Sequence, residues 1–187
     1  MKDQFATLVQ EPYRKYADEV VHALNEITDE TVKSKGNRDW TLAVKHKLGE
    51  LGEQNGFSTC ASGCRDREYD AEWLYDLVWY KNNFNDGKGH DRRLTEVPLV
   101  MEIEWSPDFL QIRYDFEKLL VANAPIKAMV FWNENAFEGL EDGIKKYKNG
   151  VASIYILACY VGEKVPAFNI RTFKTDDTGR ITEFTGQ

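Results

Sequence analysis

The chain is poor in the residues that build covalent or metal-stapled scaffolds. Its 187 residues include three cysteines, three histidines and five prolines. Cys60, Cys64 and Cys159 cannot all pair within one chain, and reduced thiols are the simpler reading. Cys60 and Cys64 form a C-x3-C with no second pair or close histidine to complete a zinc set. No apolar run approaches the roughly 18–20 residues that span a bilayer. The N-terminus meets Asp3 and Glu11 too early for a secretory signal. These absences predict a soluble, cytoplasmic protein with no membrane partner.

Positive charge is also in deficit. Twenty-four basic against 31 acidic residues give a net charge of −7, which argues against holding nucleic acid by charge alone. It leaves room for an enzyme with a local basic groove around an acidic metal site. Charge is uneven along the chain: residues 32–93 are nearly balanced, while both flanking segments are acidic.

A hydrophobic content of 42% supports a real core. With no internal repeat or long linker, residues 1–187 read as one domain. The first 31 residues read as helical, and Gly36-Asn37 breaks the chain. A second helix starts near Arg38, with Trp40, Val44, Leu48 and Leu51 on one stripe, and Asn55-Gly56 ends it as a left-handed cap would. Strands are expected at 57–61, 72–80 and 97–105, with a polar loop over 81–93. A helix over 107–123 carries a core stripe of Phe109, Ile112, Phe116 and Leu119. A buried strand at 126–132, a helix at 135–148 and strands at 151–161 and 167–174 complete the order. Strands grouped before a crossover helix suggest a mixed sheet with helices on both faces.

The segment VPLVMEIEW needs a particular explanation. Leu99, Met101, Ile103 and Trp105 fall on one face, and Val100, Glu102 and Glu104 on the other. Two carboxylates about 7 Å apart on a strand bound for the core would be costly if unpaired. The preceding strand adds Asp76. Three acids on adjacent strands make a hard-oxygen site, suited to magnesium or manganese. The competing explanation is that these acids pair with Arg or Lys, or lie at an exposed sheet edge.

The stretches YDLVWY and LVMEIEWS, followed by DFEKLL, occur in the order helix, acid-bearing strands, helix, strand. This pattern resembles the PD-(D/E)XK nuclease superfamily. The resemblance implies an α/β, restriction-endonuclease-like mixed β-sheet flanked by helices, with residues 38–133 as the core. Residues 1–31 would then be an N-terminal helical addition, and 134–187 a C-terminal helix and strands. It further implies magnesium- or manganese-dependent phosphodiester hydrolysis, on DNA in preference to RNA. Asp76 and Glu102 would be metal ligands, and Glu104, at the position usually held by lysine, a ligand or base. Lys118 is the candidate to replace that lysine from the following helix. Helical arithmetic points Lys118 roughly 150° away from the core stripe, so a solvated position is its default. Glu50 on the second helix is a further candidate acid, and Glu53 is expected to be exposed.

Other features are less specific. Lys81, Lys88, His90, Arg92 and Arg93 surround the 81–93 loop and could touch phosphates, although Asp86 and Asp91 dilute them. Arg65 and Arg67 stand among Asp66, Glu68 and Asp70. His22 and His46 read as structural. Trp73, Tyr75, Trp79 and Tyr80 alternate around Asp76, where core packing explains them more cheaply than base stacking. The alternative to a nuclease is a catalytically inactive protein of the same fold, acting as a nucleic-acid or protein interaction module. A homodimer is open, since dimers are common where both strands are cut, but no residue pattern identifies an interface.

Overall fold

The computed structural model describes residues 2–28, 30, 32, 36–64, 73–82, 93–148, 151–162, 166–176 and 178–186, with the side chains of 2–11 and 186 outside that description. Helices α1 (Lys2–Asn25) and α2 (Asn37–Gln54) precede three strands, β1 (Ser58–Cys60), β2 (Leu77–Asn82) and β3 (Leu94–Glu104). Then come α3 (Phe109–Val121), β4 (Ile126–Phe131), α4 (Ala136–Lys146), β5 (Ile154–Tyr160), β6 (Phe168–Thr175) and β7 (Ile181–Gly186). All seven strands form one sheet in chain order. The β3–β4 and β4–β5 pairs are parallel and the others antiparallel. The mixed α/β class is therefore as the sequence predicts.

The two parallel crossovers, β3–α3–β4 and β4–α4–β5, step across the sheet in the same direction. Crossovers of one hand then place both helices on one face. Accordingly α3 and α4 share a core with Val78, Val100, Met129, Phe131, Tyr155 and Leu157. The opposite face, which no crossover covers, is closed by α1 and α2 packed on Leu77, Trp79, Leu99, Met101, Ile103 and Val130. The alternation read from Leu99 to Ile103 holds, with Val100 on the α3 side and Leu99, Met101 and Ile103 on the other, while Val97, across a register shift, packs with Val100. β4, at the centre, is buried along its whole length.

Some boundaries differ from expectation. The first helix stops at Asn25 instead of continuing to 31. β2 begins at Leu77, so Asp76 precedes the strand instead of standing within it. The cause is local: Leu74 has φ 66°, and the Tyr75 amide donates to the Trp73 carbonyl at 2.8 Å. This is a three-residue γ-turn in its strained sense, which breaks the extended run. β3 starts three residues before the expected 97, with a register shift opposite Trp79 to Lys81. Pro98 lies there and has no amide to give a ladder. The helix expected from 107 is opened instead by Asp108, whose side chain accepts from the Leu110 amide at 2.9 Å. β7 was not anticipated.

The end of α2 matches its sequence signal. Gly56 has φ 78°, its amide bonds the Glu53 carbonyl, and the Phe57 amide reaches back to the Gly52 carbonyl, both at 2.9 Å. That pair of bonds is the Schellman motif. Phe57 then stacks on Trp79 and starts the sheet. Among the described residues no helix is long and apolar enough to cross a membrane.

Lys127 is the least expected core residue. It is fully buried on β4 between Val100 and Tyr155. Its ammonium contacts the Leu120 carbonyl at 3.4 Å and the Tyr155 hydroxyl at 3.2 Å, both neutral. Desolvation lowers its pKa to about 8. Between about pH 8 and the ordinary lysine value near 10.5 the unfolded chain holds a proton that the folded chain releases, so stability rises with pH there. Replacing a buried charge with an apolar group of similar size commonly stabilises by about 1–4 kcal/mol. Lys127→Met is therefore expected to stabilise at pH 7 by about 2 kcal/mol, with the gain shrinking as pH rises from 8 to 10.5. Urea denaturation at three pH values checks this, and a pH-independent difference would contradict it.

Candidate active site

One face of α2 carries a line of contacts to the sheet. The Thr41 hydroxyl oxygen accepts from the Trp105 indole at 2.7 Å. The Leu48 carbonyl accepts from the Trp79 indole at 2.9 Å, and the Gly49 carbonyl from the Thr59 hydroxyl at 3.3 Å. At Gly52 an added Cβ would stand 2.6 Å from the Trp79 indole nitrogen. The helix backbone can lie this close because Gly49 and Gly52 carry no side chain. Lys45 occupies the same line, one turn before Gly49, and is buried.

The Lys45 ammonium meets Asp76 Oδ1 at 2.8 Å and also donates to the Ser62 carbonyl at 3.2 Å. Asp76 Oδ2 accepts from the Ile103 amide at 2.9 Å. Asp76 is thereby tied to α2 on one side and to β3 on the other. The β2–β3 register pairs Leu77 with Met101, and one further step along it faces Asp76 with Glu102. Because β2 runs antiparallel to β3, the start of β2 and the end of β3 lie at the same edge. This is the carboxyl end of the parallel strands β3, β4 and β5, the usual place for sites in open α/β sheets.

Glu102 is 3% exposed, on the α3 side of the sheet. The Lys118 ammonium stands 3.3 Å from its Oε1 but off the hydrogen-bonding direction. This buried oxygen therefore has an ion-pair partner but no hydrogen bond. Burial, and secondly the charge of Asp76, raise the Glu102 pKa to about 8, while Lys118 pulls it back. Burial acts to lower the Lys118 pKa, but the Asp115 hydrogen bond at 2.7 Å and the Glu102 charge outweigh it and hold the ammonium above its ordinary value. Tyr75 is raised by burial and then by the Glu102 charge.

Asp76, Glu102 and Lys118 thus converge. The helical arithmetic for Lys118 located where its Cβ leaves α3. The four-carbon stem is long enough to bring the charge back past Asp115. Glu104 is not a third member of the cluster, because its Oε1 accepts from the Ser106 amide at 2.6 Å and shapes the turn into α3. Among the described residues no three His, Cys, Asp or Glu side chains are grouped as a metal site. Lys45, not Glu50, is the α2 residue at Asp76. Its signal was the line Thr41, Lys45, Gly49, Gly52, in which small residues mark the face closest to the sheet. Glu50 is half-buried and Glu53 exposed.

The remaining candidates divide clearly. Trp79 is core, Tyr75 and Tyr80 are half-buried against the α3 side, and Trp73 is 38% exposed. His22 pairs with Glu26 at 3.1 Å on the surface. Cys64 and Cys159 are buried and Cys60 is half-buried, all three as free thiols. Lys81 pairs with Glu96 at 3.2 Å. Lys88, His90, Arg92, Arg65 and Arg67 lie outside the described residues. Comparison of the chain with protein-family models, with curated proteins and with solved structures returns no match.

The raised Glu102 pKa has a measurable sign. Between the ordinary carboxylate value near 4.5 and about 8, the folded protein holds a proton that the unfolded chain releases. Stability of the metal-free protein should therefore fall as pH rises across that window. Glu102→Gln is expected to remove this slope, and Lys118→Ala, which raises only the folded-state pKa, to extend it to higher pH. Denaturation in EDTA at pH 5, 6.5 and 8 tests both, and a Glu102→Gln profile parallel to wild type would count against the assignment.

Proposed function

We propose that the chain is a divalent-metal-dependent nuclease that hydrolyses phosphodiester bonds, with DNA favoured over RNA by its resemblance to the PD-(D/E)XK superfamily. The observation that carries this reading is the Glu102 carboxylate, buried beside a second carboxylate, which raises its pKa to about 8, with the partly exposed Lys118 ammonium 3.3 Å away. A buried acid is ordinarily satisfied by hydrogen bonds or excluded from a core. The element order, with acids at the start of β2 and the end of β3 ahead of α3 and β4, supports the same reading.

The donor set fits a hard cation. Asp76 and Glu102 offer only oxygen, and magnesium is commonly held by one or two carboxylates with water and phosphate completing its shell. These two residues would hold magnesium or manganese, which when bound supplies an activated water and neutralises charge on the attacked phosphate. Lys118 stays cationic at neutral pH, so its role is to hold negative charge on the phosphate or orient the attacking water, not to take a proton. Glu104 keeps one oxygen on the Ser106 amide, shapes the turn into α3, and is assigned no part in the chemistry. Lys45 is a positioning residue that fixes Asp76 against β3.

A second reading has its own observation. Both Asp76 oxygens are already engaged, by Lys45 and by the Ile103 amide, and Glu102 is ion-paired. On that basis the acids are counter-ions of two lysines, and the protein is an inactive interaction module on this scaffold.

Cleavage of single- and double-stranded DNA and RNA in magnesium and manganese, with EDTA as control, separates the two. Wild type should cut at least one substrate. Glu102→Gln should lose about 10³-fold, the scale of several kcal/mol of transition-state stabilisation. Lys118→Ala should lose about 10²-fold, the scale of one preorganised electrostatic group. No cleavage of any substrate, together with no metal binding by calorimetry, would leave the interaction module.

A further inference from the structure

A cleft of about 400 Å³ opens on the sheet, with Tyr75 and Val100 lining it toward Glu102 and Glu96, Val97 and Asn123 lining it further away, within the range of small-molecule sites. Trp73 and Tyr75 form one wall, and its floor is Val78 and Val100. Val100 is two residues before Glu102 on the same face of β3, so the floor leads to the carboxylate over about 7 Å. Tyr75 belongs to both places, lining the cleft and feeling the charges of Glu102 and Lys118. The strained turn at Leu74 sets Trp73 and Tyr75 beside this cleft instead of pairing them in β2. A leucine held at positive φ is a local strain of the kind that gathers at functional sites.

The chemistry of the cleft selects its ligand. Its wall offers flat aromatic rings, one of them exposed, and its floor is aliphatic. On the rim Asn123 is exposed, and its carboxamide makes no hydrogen bond to the described residues. Rings that stack and an amide that donates and accepts are the groups that hold a nucleobase. A base inside a duplex is stacked and paired, and it reaches such a cleft only after leaving the stack.

We propose that this cleft receives one unpaired base of a nucleic-acid strand whose phosphate lies at Asp76 and Glu102. The proposal rests on the nuclease reading and narrows its substrate to single strands and frayed or extruded nucleotides. Trp73 is the stacking residue, and Asn123 contacts the edge of the base.

Fluorescence anisotropy with a short labelled single strand and a blunt duplex, in calcium and in EDTA, tests this on wild type, Trp73→Ala, Trp73→Phe and Asn123→Ala. Thermal denaturation confirms that each variant is folded. Trp73→Ala should weaken single-strand binding about tenfold, within the range measured for loss of one base–aromatic stack, and Trp73→Phe should restore most of it. Asn123→Ala should weaken it about threefold. Duplex binding should change less than twofold. Unchanged single-strand affinity, equal loss on both substrates, or no binding by wild type overturns the proposal. Magnesium cleavage by wild type distinguishes the two failures. Cleavage without a Trp73 effect removes only the cleft assignment. A Trp73 effect without cleavage keeps the cleft and removes the catalytic reading.

Discussion

The Asp76 carboxylate joins the two layers that meet at the site. One oxygen takes the buried Lys45 ammonium from α2, and the other takes the Ile103 amide from β3. A carboxylate just before a strand would ordinarily turn to solvent. Here the turn at Leu74 ends the extended run, and the ion pair holds Asp76 against the sheet edge. The close seating of α2 at Gly52 keeps the helix near the sheet, and Lys45 reaches Asp76 from it. Removing the lysine would leave a half-buried acid with one amide partner, and that acid would repel Glu102 more strongly. The position of the second acid thus depends on the first.

Glu102 shows how the sheet accommodates two carboxylates at one edge. Burial and the neighbouring acid both favour its protonated form, and Lys118 opposes them from α3. Lys118 also pairs with Asp115, which keeps its charge in place between two acids. Lys45 comes from the helical layer on one face and Lys118 from the layer on the other. The carboxylates therefore lie between two cations held by separate elements, and a shift of either helix would disturb the balance. Lys127, one strand further in, has no such acid. Its depressed pKa is the contrasting case of a buried charge with only neutral partners.

Much of the architecture was legible because strands in a two-sided core repeat every second residue. Leu99 to Ile103 sorted correctly onto two faces, and the stripe Ile112, Phe116 and Leu119 located the core side of α3. What escaped was not periodic. The γ-turn at Leu74 has no sequence signature, since leucine rarely adopts positive φ, and so Asp76 was placed inside a strand. The amide-free Pro98 and its register shift lie within a longer β3 than the pattern suggested. Lys45 was missed because helical reading followed apolar residues, whereas the seam is marked by small ones. Glu104 was read by its face, but at the end of a strand the nearest free amide, that of Ser106, decides where a carboxylate turns.

The ion pairs bear on both functional readings, and their geometry gives them unequal weight. Lys45 is buried, and it contacts Asp76 and the Ser62 carbonyl together. Breaking that arrangement would strand a charge in the core, so it belongs to the fold. The Lys118 side chain is 39% exposed, and its ammonium stands 3.3 Å from Glu102 and 2.7 Å from Asp115. Withdrawing this ammonium would leave the buried Glu102 without its cation, so only the lysine end of the pair behaves as an exposed one. The two lysines are therefore not equivalent counter-ions. One is buried against its carboxylate, while the other is partly solvated and shared between Glu102 and Asp115.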